Sequence, residues 1–387
     1  MRLLPWEYGV RNMGRSPLRF LLGAAGSMLV VLLFLTAGAF VRGIGKALAQ
    51  SGGARNVILL GAGSQESLER SEIARTVDGE VAASIRGVRR LGMAYVSPEV
   101  YMQTVVKLAP DDPREHQVVM RGVTAPALLV HDAVRVTDGR APRLGADELL
   151  VGSLVGVRMS AAPGRLDVGQ KLWFDKRWWT IVGRFDAPGT VMAAEIWLPL
   201  SDLQIAAKRD GLSSVILTLD EATLDDVEVF CARRLDLELV ALTESEYFAN
   251  LNRFYRPVRM MIWVTAALIA AGGMFGGLNT MYAAFAARIR ELGALQAMGF
   301  SRRAIVLSLV QESVLIASVG ALAAAVVAVG WLDGTGVRFS TGAMTLVIDG
   351  PVLTVGLAVG LALGVVGAGP PAWRCLRAPI PEALKAL

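Results

Sequence analysis

The residues best suited to binding chemistry form a short basic segment between two long apolar stretches. Residues 288–303 read RIRELGALQAMGFSRR, in which apolar residues recur at helical spacing. The pattern predicts a helix with three apolar side chains on one side, Leu292, Leu295 and Met298. A membrane protein that keeps so compact a polar helix between two spans is expected to use it to contact a partner on the cytoplasmic side.

Two glutamates in this part of the chain raise separate questions. Glu291 follows Arg288 at a spacing of three, which allows an exposed ion pair worth only about 0.3–0.5 kcal/mol. Because that pair is weak, contact with a partner protein is the favoured role of the segment. Glu312 lies about 13 Å along a helix from Arg303, within an apolar run. A carboxylate at that depth is costly unless it is paired, protonated or wetted, so Glu312 is expected to line a subunit interface or transport path, or to reach the cytoplasmic boundary.

No set of residues for catalysis or metal binding can be assembled from the sequence. The two histidines, His116 and His131, and the isolated Cys231 lack metal-ligand spacing, and the serines of the same region have no identifiable base. The phosphate-loop pattern G-x-x-x-x-G-K-[ST] does not occur, and the glycine cluster at 61–64 lacks the lysine and predicts a turn. We therefore expect neither a catalytic centre, nor a metal site, nor a cofactor on this chain.

Four runs with almost no charge are long enough to cross a membrane. A helix needs about 20 apolar residues to span a hydrocarbon core of about 30 Å, and 53% of the 387 residues are hydrophobic. The predicted spans are residues 20–42, 259–287, 304–332 and 351–373. The first run is longer than the core of a cleaved signal peptide and lacks a clear cleavage pattern, so it is interpreted as an uncleaved anchor.

Basic residues beside the spans predict the orientation of the chain. They are concentrated in residues 1–19, which read as an amphipathic helix leading into the first span, in the 288–303 segment and in the tail, 374–387. The loop 333–350 holds only one basic residue, Arg338. Both termini are therefore predicted to lie in the cytoplasm of a bacterium, with the protein in its inner membrane. These flanks account for the net charge of +5, which leaves little reason to expect nucleic-acid binding.

The exported region, residues 43–258, is predicted to be an α+β domain that ends in a stalk. Short strand-like runs bounded by Gly, Pro and Asp alternate with short helical patterns. The run KLWFDKRWWTIVGRF predicts a hairpin with its turn at 175–177, and alternate tryptophans of this hairpin are expected in the core. Four apolar residues recur at helical spacing in the stalk: Tyr247, Leu251, Phe254 and Val258. They predict an outward extension of the second span, bent at Pro257.

Glycines at four-residue spacing in the second and fourth spans predict close helix contacts. They are Gly272, Gly273, Gly276 and Gly277 in the second span, and Gly356, Gly360 and Gly364 in the fourth. Packing within one subunit and a dimer interface between second spans both fit this pattern.

The order of one span, a large exported domain, three further spans and a short tail resembles the permease subunits of the MacB/LolC/FtsX superfamily, the type VII ABC transporters. The run RIRELGALQAMGFSRRAIVLSLVQES is similar to the third-span block of this family. The opening VRNMGRSPLRFLLGAAG is similar to its first-span start, and DGRAPRLGADELLVG and WWTIVGRFDAPG resemble the MacB-type periplasmic core. The end of the chain resembles the family's tail motif, at Pro381, Ala383 and Leu384.

The resemblance implies that residues 288–303 form a coupling helix that docks on a separate ATPase. The positions that match the family's motif are Arg288, Arg290, Glu291, Gly293, Leu295, Met298, Gly299, Arg302 and Arg303. ATP and Mg²⁺ would then be bound by a dimer of that ATPase, and this chain would be a non-catalytic subunit. A second copy or a paralogous permease would complete the assembly, in contact with membrane lipid, and a periplasmic adaptor or an outer-membrane protein could join it.

The implied function is to couple ATP hydrolysis on the ATPase to movement of the exported domain. That movement would drive export or release of a hydrophobic molecule, peptide or lipoprotein. The alternative is a regulatory transmitter of the cell-division type, which activates an extracytoplasmic enzyme and carries no cargo. An exported region of about 215 residues that resembles the MacB core favours the first function.

Overall fold

The computed structural model describes residues 17–90, 92–339, 342–377 and 379–380. These residues divide into two compact units. The helical unit takes in the chain up to Arg42, Pro257–Thr335 and the chain from Leu346 onward, and the α/β unit takes in Gly43–Arg256 and Gly336–Thr345. Four helices are long and apolar enough to span a membrane, and a large α/β region lies between the first and second of them. The predicted fold class is therefore confirmed.

The helices are, in chain order, α1 (Pro17–Ser51), α2 (Val77–Ser84), α3 (Ala127–Val130), α4 (Val155–Met159), α5 (Leu200–Ala207), α6 (Leu224–Arg233), α7 (Glu244–Phe254), α8 (Arg256–Ala286), α9 (Ile289–Ala297), α10 (Arg302–Val327) and α11 (Gly350–Cys375). The span-length helices are α1, α8, α10 and α11, and a π-helical turn extends α10 to Leu332. Capping side chains set two of their starts. Ser301 accepts a hydrogen bond from the backbone N–H of Ala304, and Asp349 accepts one from that of Val352.

The glycines of α11 allow close packing inside the helical unit. A Cβ atom added at Gly360 would lie 2.6 Å from the Cβ of Ala321 on α10, and one added at Gly356 would lie 2.3 Å from the side chain of Leu35 on α1. Gly273 of α8 is similarly close to Val30 on α1. Of the two interpretations left open by the sequence, packing within one subunit therefore accounts for these three glycines.

Three further glycines of α8 behave differently. Added Cβ atoms at Gly272, Gly276 and Gly277 would meet nothing within 4 Å in the described part of the chain. A face of α8 with three glycines is thus free for a lipid or protein neighbour, which keeps the dimer-interface interpretation open for this helix alone.

The strands are, in chain order, β1 (Asn56–Gly61), β2 (Arg89–Arg90), β3 (Met93–Ala94), β4 (Val96–Val106), β5 (His116–Val123), β6 (Arg135–Gly139), β7 (Glu148–Gly152), β8 (Lys171–Phe174), β9 (Arg177–Asp186), β10 (Glu195–Pro199), β11 (Ser214–Thr218), β12 (Leu239–Thr243), β13 (Gly336–Phe339) and β14 (Gly342–Thr345). The main sheet has the order β12-β1-β11-β4-β5-β10-β7-β9-β6, and β8 pairs with β9. Its pairs are antiparallel except β5 with β10 and β7 with β9.

The predicted hairpin is β8–β9. Asp175 and Lys176 both have positive φ angles, 48° and 57°, as expected for a two-residue turn of type I′. Trp179 is fully buried and donates its indole N–H to the carbonyl of Phe174 at 3.1 Å. Trp178, its neighbour, is exposed and packs edge-on against Trp173. The expected alternation of tryptophans between core and surface is confirmed.

The stalk differs from its prediction. Helix α7 ends at Phe254 and α8 begins at Arg256, so the chain breaks at Tyr255 instead of forming one bent helix. Pro257 falls in the first turn of α8, where its missing N–H costs no helical hydrogen bond. The predicted apolar stripe is also only partly buried, since Tyr247 is buried but Phe254 and Val258 are exposed.

A short hairpin that the sequence did not predict, β13–β14, lies within the loop 333–350. Its strands pair Gly336 with Thr345 and Phe339 with Gly342. Ala343 and Met344 of β14 are buried in the α/β unit. The loop between the last two spans is therefore part of that unit and not a free connection.

Candidate functional site

The segment predicted to contact a partner is helix α9, and it ends in a turn that needs glycine. Gly299 has a φ angle of 89°, a left-handed conformation that few other residues adopt without strain. The N–H of Gly299 donates to the carbonyl of Gln296, and the N–H of Phe300 donates to that of Leu295. This closes the end of α9, and Ser301 caps α10 two residues later. The short turn therefore joins α9 rigidly to the third span.

One side of α9 is packed into the helical unit. Leu292 and Leu295 are buried in a cluster whose other buried members are Met281, Phe285, Ile305, Leu309, Ala368, Ala372, Cys375 and Leu376. Gly293 is also buried. Met298, which the sequence placed on the same side, is instead 62% exposed. The reason is that α9 ends at Ala297, so Met298 follows the turn and leaves the helical face.

The opposite side of α9 and the following turn are exposed. The motif positions on this side are Arg290, Glu291, Met298, Gly299, Arg302 and Arg303. The nine predicted coupling positions thus separate into six that another protein could reach and three, Arg288, Gly293 and Leu295, that are buried or half-buried within the unit. The exposed set carries three positive charges, one negative charge and one large apolar side chain.

Glu312 belongs to an ion network at the same end of the helical unit. It is only 3% exposed, and it accepts a hydrogen bond from Nη2 of Arg19 at 2.5 Å. Its other carboxylate oxygen lies 3.6 Å from Nη1 of Arg288. The Nε–H of Arg288 in turn donates to Glu291 on α9 at 3.0 Å. Three elements, α1, α10 and the start of α9, are therefore connected by charged side chains.

The position of these partners bears on the two interpretations of Glu312. Arg19 is in the first turn of α1, and Arg288 directly precedes α9. The carboxylate therefore lies level with the end of the unit that carries α9, which favours the boundary interpretation over a transport path. Of the three ways to stabilise an acid at this depth, the structure shows pairing. The sequence could not reveal it, because Arg19 and Glu312 are 293 residues apart.

A second charged cluster, which the sequence did not indicate, is buried in the α/β unit. Arg121 of β5 donates to both carboxylate oxygens of Glu195 on β10 at 2.7 Å, and it also donates to Glu99 on β4. Trp197 donates its indole N–H to Glu195 at 2.8 Å. All four residues are almost inaccessible to solvent. The two carboxylates share the guanidinium, which is the condition for burying such charges.

His131 extends this cluster toward the start of α7. Its Nε2 lies 2.7 Å from Glu99, and its Nδ1 lies 3.8 Å from Glu244, the first residue of α7. Glu244 also accepts hydrogen bonds from the N–H of Gly53, just beyond α1, and from the side chain of Asn56. The cluster therefore attaches the first residues after α1 and the first residue of α7 to the main sheet.

The electrostatics of the cluster follow from its pairing. Burial opposes ionisation of Glu99, but His131 and Arg121 outweigh burial and lower the pKa of that carboxyl to about 2. Burial alone would lower the pKa of His131, but Glu99 and Glu244 raise it above its usual value. The only sequence signal was a set of charged residues inside strand-like runs, which local patterns would place on the surface.

Other predicted residues are placed as follows. The first residues of the chain, 1–16, and the tail motif at Pro381, Ala383 and Leu384 lie outside the described residues. Within the described residues, no group of three or more His, Cys, Asp or Glu side chains has the arrangement of a metal site. Cys231 is buried, and burial raises the pKa of its thiol to about 11, which makes it a poor nucleophile.

Comparisons with known proteins cover both units. The profile of the FtsX-like permease C-terminal matches residues 263–380, and that of the MacB-like periplasmic core domain matches residues 20–228. No curated protein matches the chain.

Two solved structures are similar to the exported part. One is the periplasmic region of MacB from Actinobacillus actinomycetemcomitans, with 9% identity, a TM-score of 0.39, and coverage of 51% of this chain and 92% of that one. The other is the extracellular domain of the noncanonic ABC-type transporter YknZ from Gram-positive bacteria. It has 12% identity, a TM-score of 0.36, and coverage of 48% of this chain and 99% of that one.

Proposed function

Because this multi-pass membrane chain belongs to the MacB/FtsX-like ABC transporter permeases, we propose that it couples ATP hydrolysis on a separate ATPase to movement of its α/β domain. The movement drives export or release of a hydrophobic molecule, peptide or lipoprotein. In this proposal ATP and Mg²⁺ are held by the ATPase dimer, and the chain itself performs no chemistry. The N- and C-termini and α9 face the cytoplasm of the bacterial inner membrane, as the distribution of basic residues favours.

The observation that carries the proposal is the way α9 is attached. Its buried side packs on α10 and α11, and the Glu312 network connects its start to α1 and α10. A displacement of α9 by a partner is therefore resisted by packing and by charge, and it is passed to the spans. Helix α1 continues without a break to Ser51, so its last turns belong to the α/β unit. Such a continuous helix is suited to transmitting movement between the ATPase and the exported domain.

The exposed side of α9 indicates the kind of surface the ATPase presents. Arg290, Arg302 and Arg303 favour an acidic rim, and Met298 favours an apolar pocket that excludes water from it. A methionine with this exposure gains free energy when a partner covers it. In the proposal, the open glycine face of α8 contacts the second permease subunit, either another copy or a paralogue.

The test is purification of the tagged full chain from its native membrane in mild detergent, followed by mass spectrometry and an ATPase assay. We expect an ABC ATPase in stoichiometric amount, and we expect Arg290→Glu combined with Met298→Asp to release it. The matched control is Arg86→Glu, since Arg86 is an exposed arginine of the α/β unit. Wild-type preparations with no ATPase, or equal recovery with the variant and the control, would refute the proposal.

The same preparation distinguishes the two functions left open by the sequence. A transporter should show ATPase activity stimulated by a small hydrophobic molecule or a lipopeptide. A regulatory transmitter should respond instead to an extracytoplasmic protein partner and not to either of these.

A further inference from the structure

A basic cavity lies in the α/β unit beside the β13–β14 hairpin. Its volume is about 450 Å³ and it is open to solvent. The residues that line it are Val105, Glu115, His116, Gln117, Arg158 and Arg338. Arg338 is the only basic residue of the loop between the third and fourth spans, so this loop supplies one wall of the cavity and the domain supplies the others.

The cavity is a defined site because its walls are fixed. Arg158 is buried, and it donates from Nε to the carbonyl of Gln117 at 2.9 Å and from Nη1 to the carbonyl of Gly342 at 3.4 Å. Its guanidinium therefore connects β5 to the hairpin. Gly336 packs so close to α4 that an added Cβ would lie 2.9 Å from the side chain of Val157. The hairpin is thus held against α4, which brings Arg338 to the same cavity as Arg158.

The charge of the lining is positive and only partly balanced. Two guanidiniums line the cavity, and its one acid, Glu115, is exposed and lies 3.3 Å from Lys107. Burial lowers the pKa of Arg158 and of His116, and the nearby charge of Arg338 lowers both further. These shifts have the sign expected where positive groups face one another without an anion between them.

An orphaned polar atom also points to a missing ligand. The Nε2 atom of His116 is buried and has no hydrogen-bond partner among the described residues. A buried ring nitrogen without a partner is costly, because burial removes it from water and nothing replaces the lost hydrogen bond. An oxygen of a bound group could accept a hydrogen bond from this nitrogen when its tautomer carries the proton there.

We propose that this cavity binds a phosphate-type oxoanion group between Arg158, Arg338 and His116. Guanidinium groups bind the tetrahedral oxygens of phosphate through paired, charge-assisted hydrogen bonds, and a phosphate would separate the two arginines. Bound there, it would fasten the hairpin between the last two spans to the domain.

Two sources can supply such a group, a lipid headgroup or a soluble phosphate-bearing molecule. Six residues separate Arg338 from Leu332, the last residue of the third apolar helix, so the chain cannot carry Arg338 more than about 21 Å from it. That distance is short enough for a headgroup at the membrane surface to be a candidate. The proposal does not depend on the ATPase or on the cargo, because its test is a binding measurement on this chain alone.

The test uses the full chain in phosphate-free detergent, titrated with inorganic phosphate and followed by ³¹P line broadening. We expect saturable binding that weakens as ionic strength rises. Arg338→Gln should weaken it at least about tenfold, as expected for loss of a charge-assisted contact, and His116→Gln should weaken it less. Arg86→Gln, at an exposed arginine outside the cavity, should leave it unchanged.

Absence of saturable binding in the wild type, or equal affinity in the wild type, Arg338→Gln and His116→Gln, would overturn the proposal. Melting temperatures of the variants, compared with that of the wild type, confirm that each is folded. To identify the source, phosphate binding is repeated in nanodiscs of phosphatidylglycerol and of phosphatidylcholine. Competition by phosphatidylglycerol alone identifies a bilayer headgroup, and undiminished phosphate binding in both identifies a soluble ligand.

Discussion

Replacing Glu312 by glutamine should loosen the attachment of helix α9. The substitution keeps the shape of the side chain and removes its charge. In the wild type the two carboxylate oxygens lie 2.5 Å from Arg19 and 3.6 Å from Arg288. After the change, both guanidiniums would face a neutral amide, and their side chains are only 20% and 14% exposed. They would then repel each other with little screening by water.

The size of the effect can be bounded from this exposure. Removing one partner of a fully buried ion pair costs about 3–5 kcal/mol. Because both arginines keep some contact with solvent, we expect about 2–3 kcal/mol, which is about a 30- to 150-fold change in an equilibrium constant. The matched control is Glu291→Gln. Glu291 is 53% exposed in its pair with Arg288, so its loss should cost about 0.3–0.5 kcal/mol, or about twofold.

The measurement is hydrogen exchange of the full chain in nanodiscs, under conditions where exchange reports the local opening equilibrium. The amides of Ile289–Ala297 should exchange about 30-fold faster or more in Glu312→Gln and about twofold faster in Glu291→Gln. Equal effects of the two substitutions would refute the assignment of Glu312 as the residue that holds α9. Faster exchange in α6 as well would indicate general destabilisation, which the reasoning does not predict.

The buried cluster of the α/β unit gives two further predictions. Arg121→Met should destabilise the full chain to denaturant by about 3–5 kcal/mol, because it leaves Glu99 and Glu195 buried without their cation, and adding Glu99→Leu and Glu195→Leu should recover most of that loss; failure of the triple variant to recover stability would contradict this account. The raised pKa of His131 means that its contribution to stability is complete below its unfolded pKa of about 6.5 and is lost as pH rises through the folded value, so the melting temperature should fall over that range. His131→Gln should flatten this dependence, and an unchanged slope in that variant would assign it to other groups.

Much of the architecture follows from the sequence alone. Long runs without charge predict membrane spans because ionised side chains are costly in hydrocarbon, and four helices of that kind are present. Local alternation predicted the β8–β9 hairpin and the burial of Trp179. The short basic helix was also predicted from spacing, although its function as a coupling element stays a proposal. In each case the signal lies within a few neighbouring residues.

Tertiary packing decided what joins distant residues. The pairing of Arg19 with Glu312, the sharing of Arg121 between two glutamates and the placement of Arg338 beside Arg158 all connect separate parts of the chain. Local patterns place charged residues on the surface, since burial is favourable only when a partner from elsewhere arrives with matching geometry. Spacing alone also misplaced Met298, because the side a residue takes depends on where the helix ends. The sequence therefore determined the elements and their class, and only the folded structure determined which charges meet.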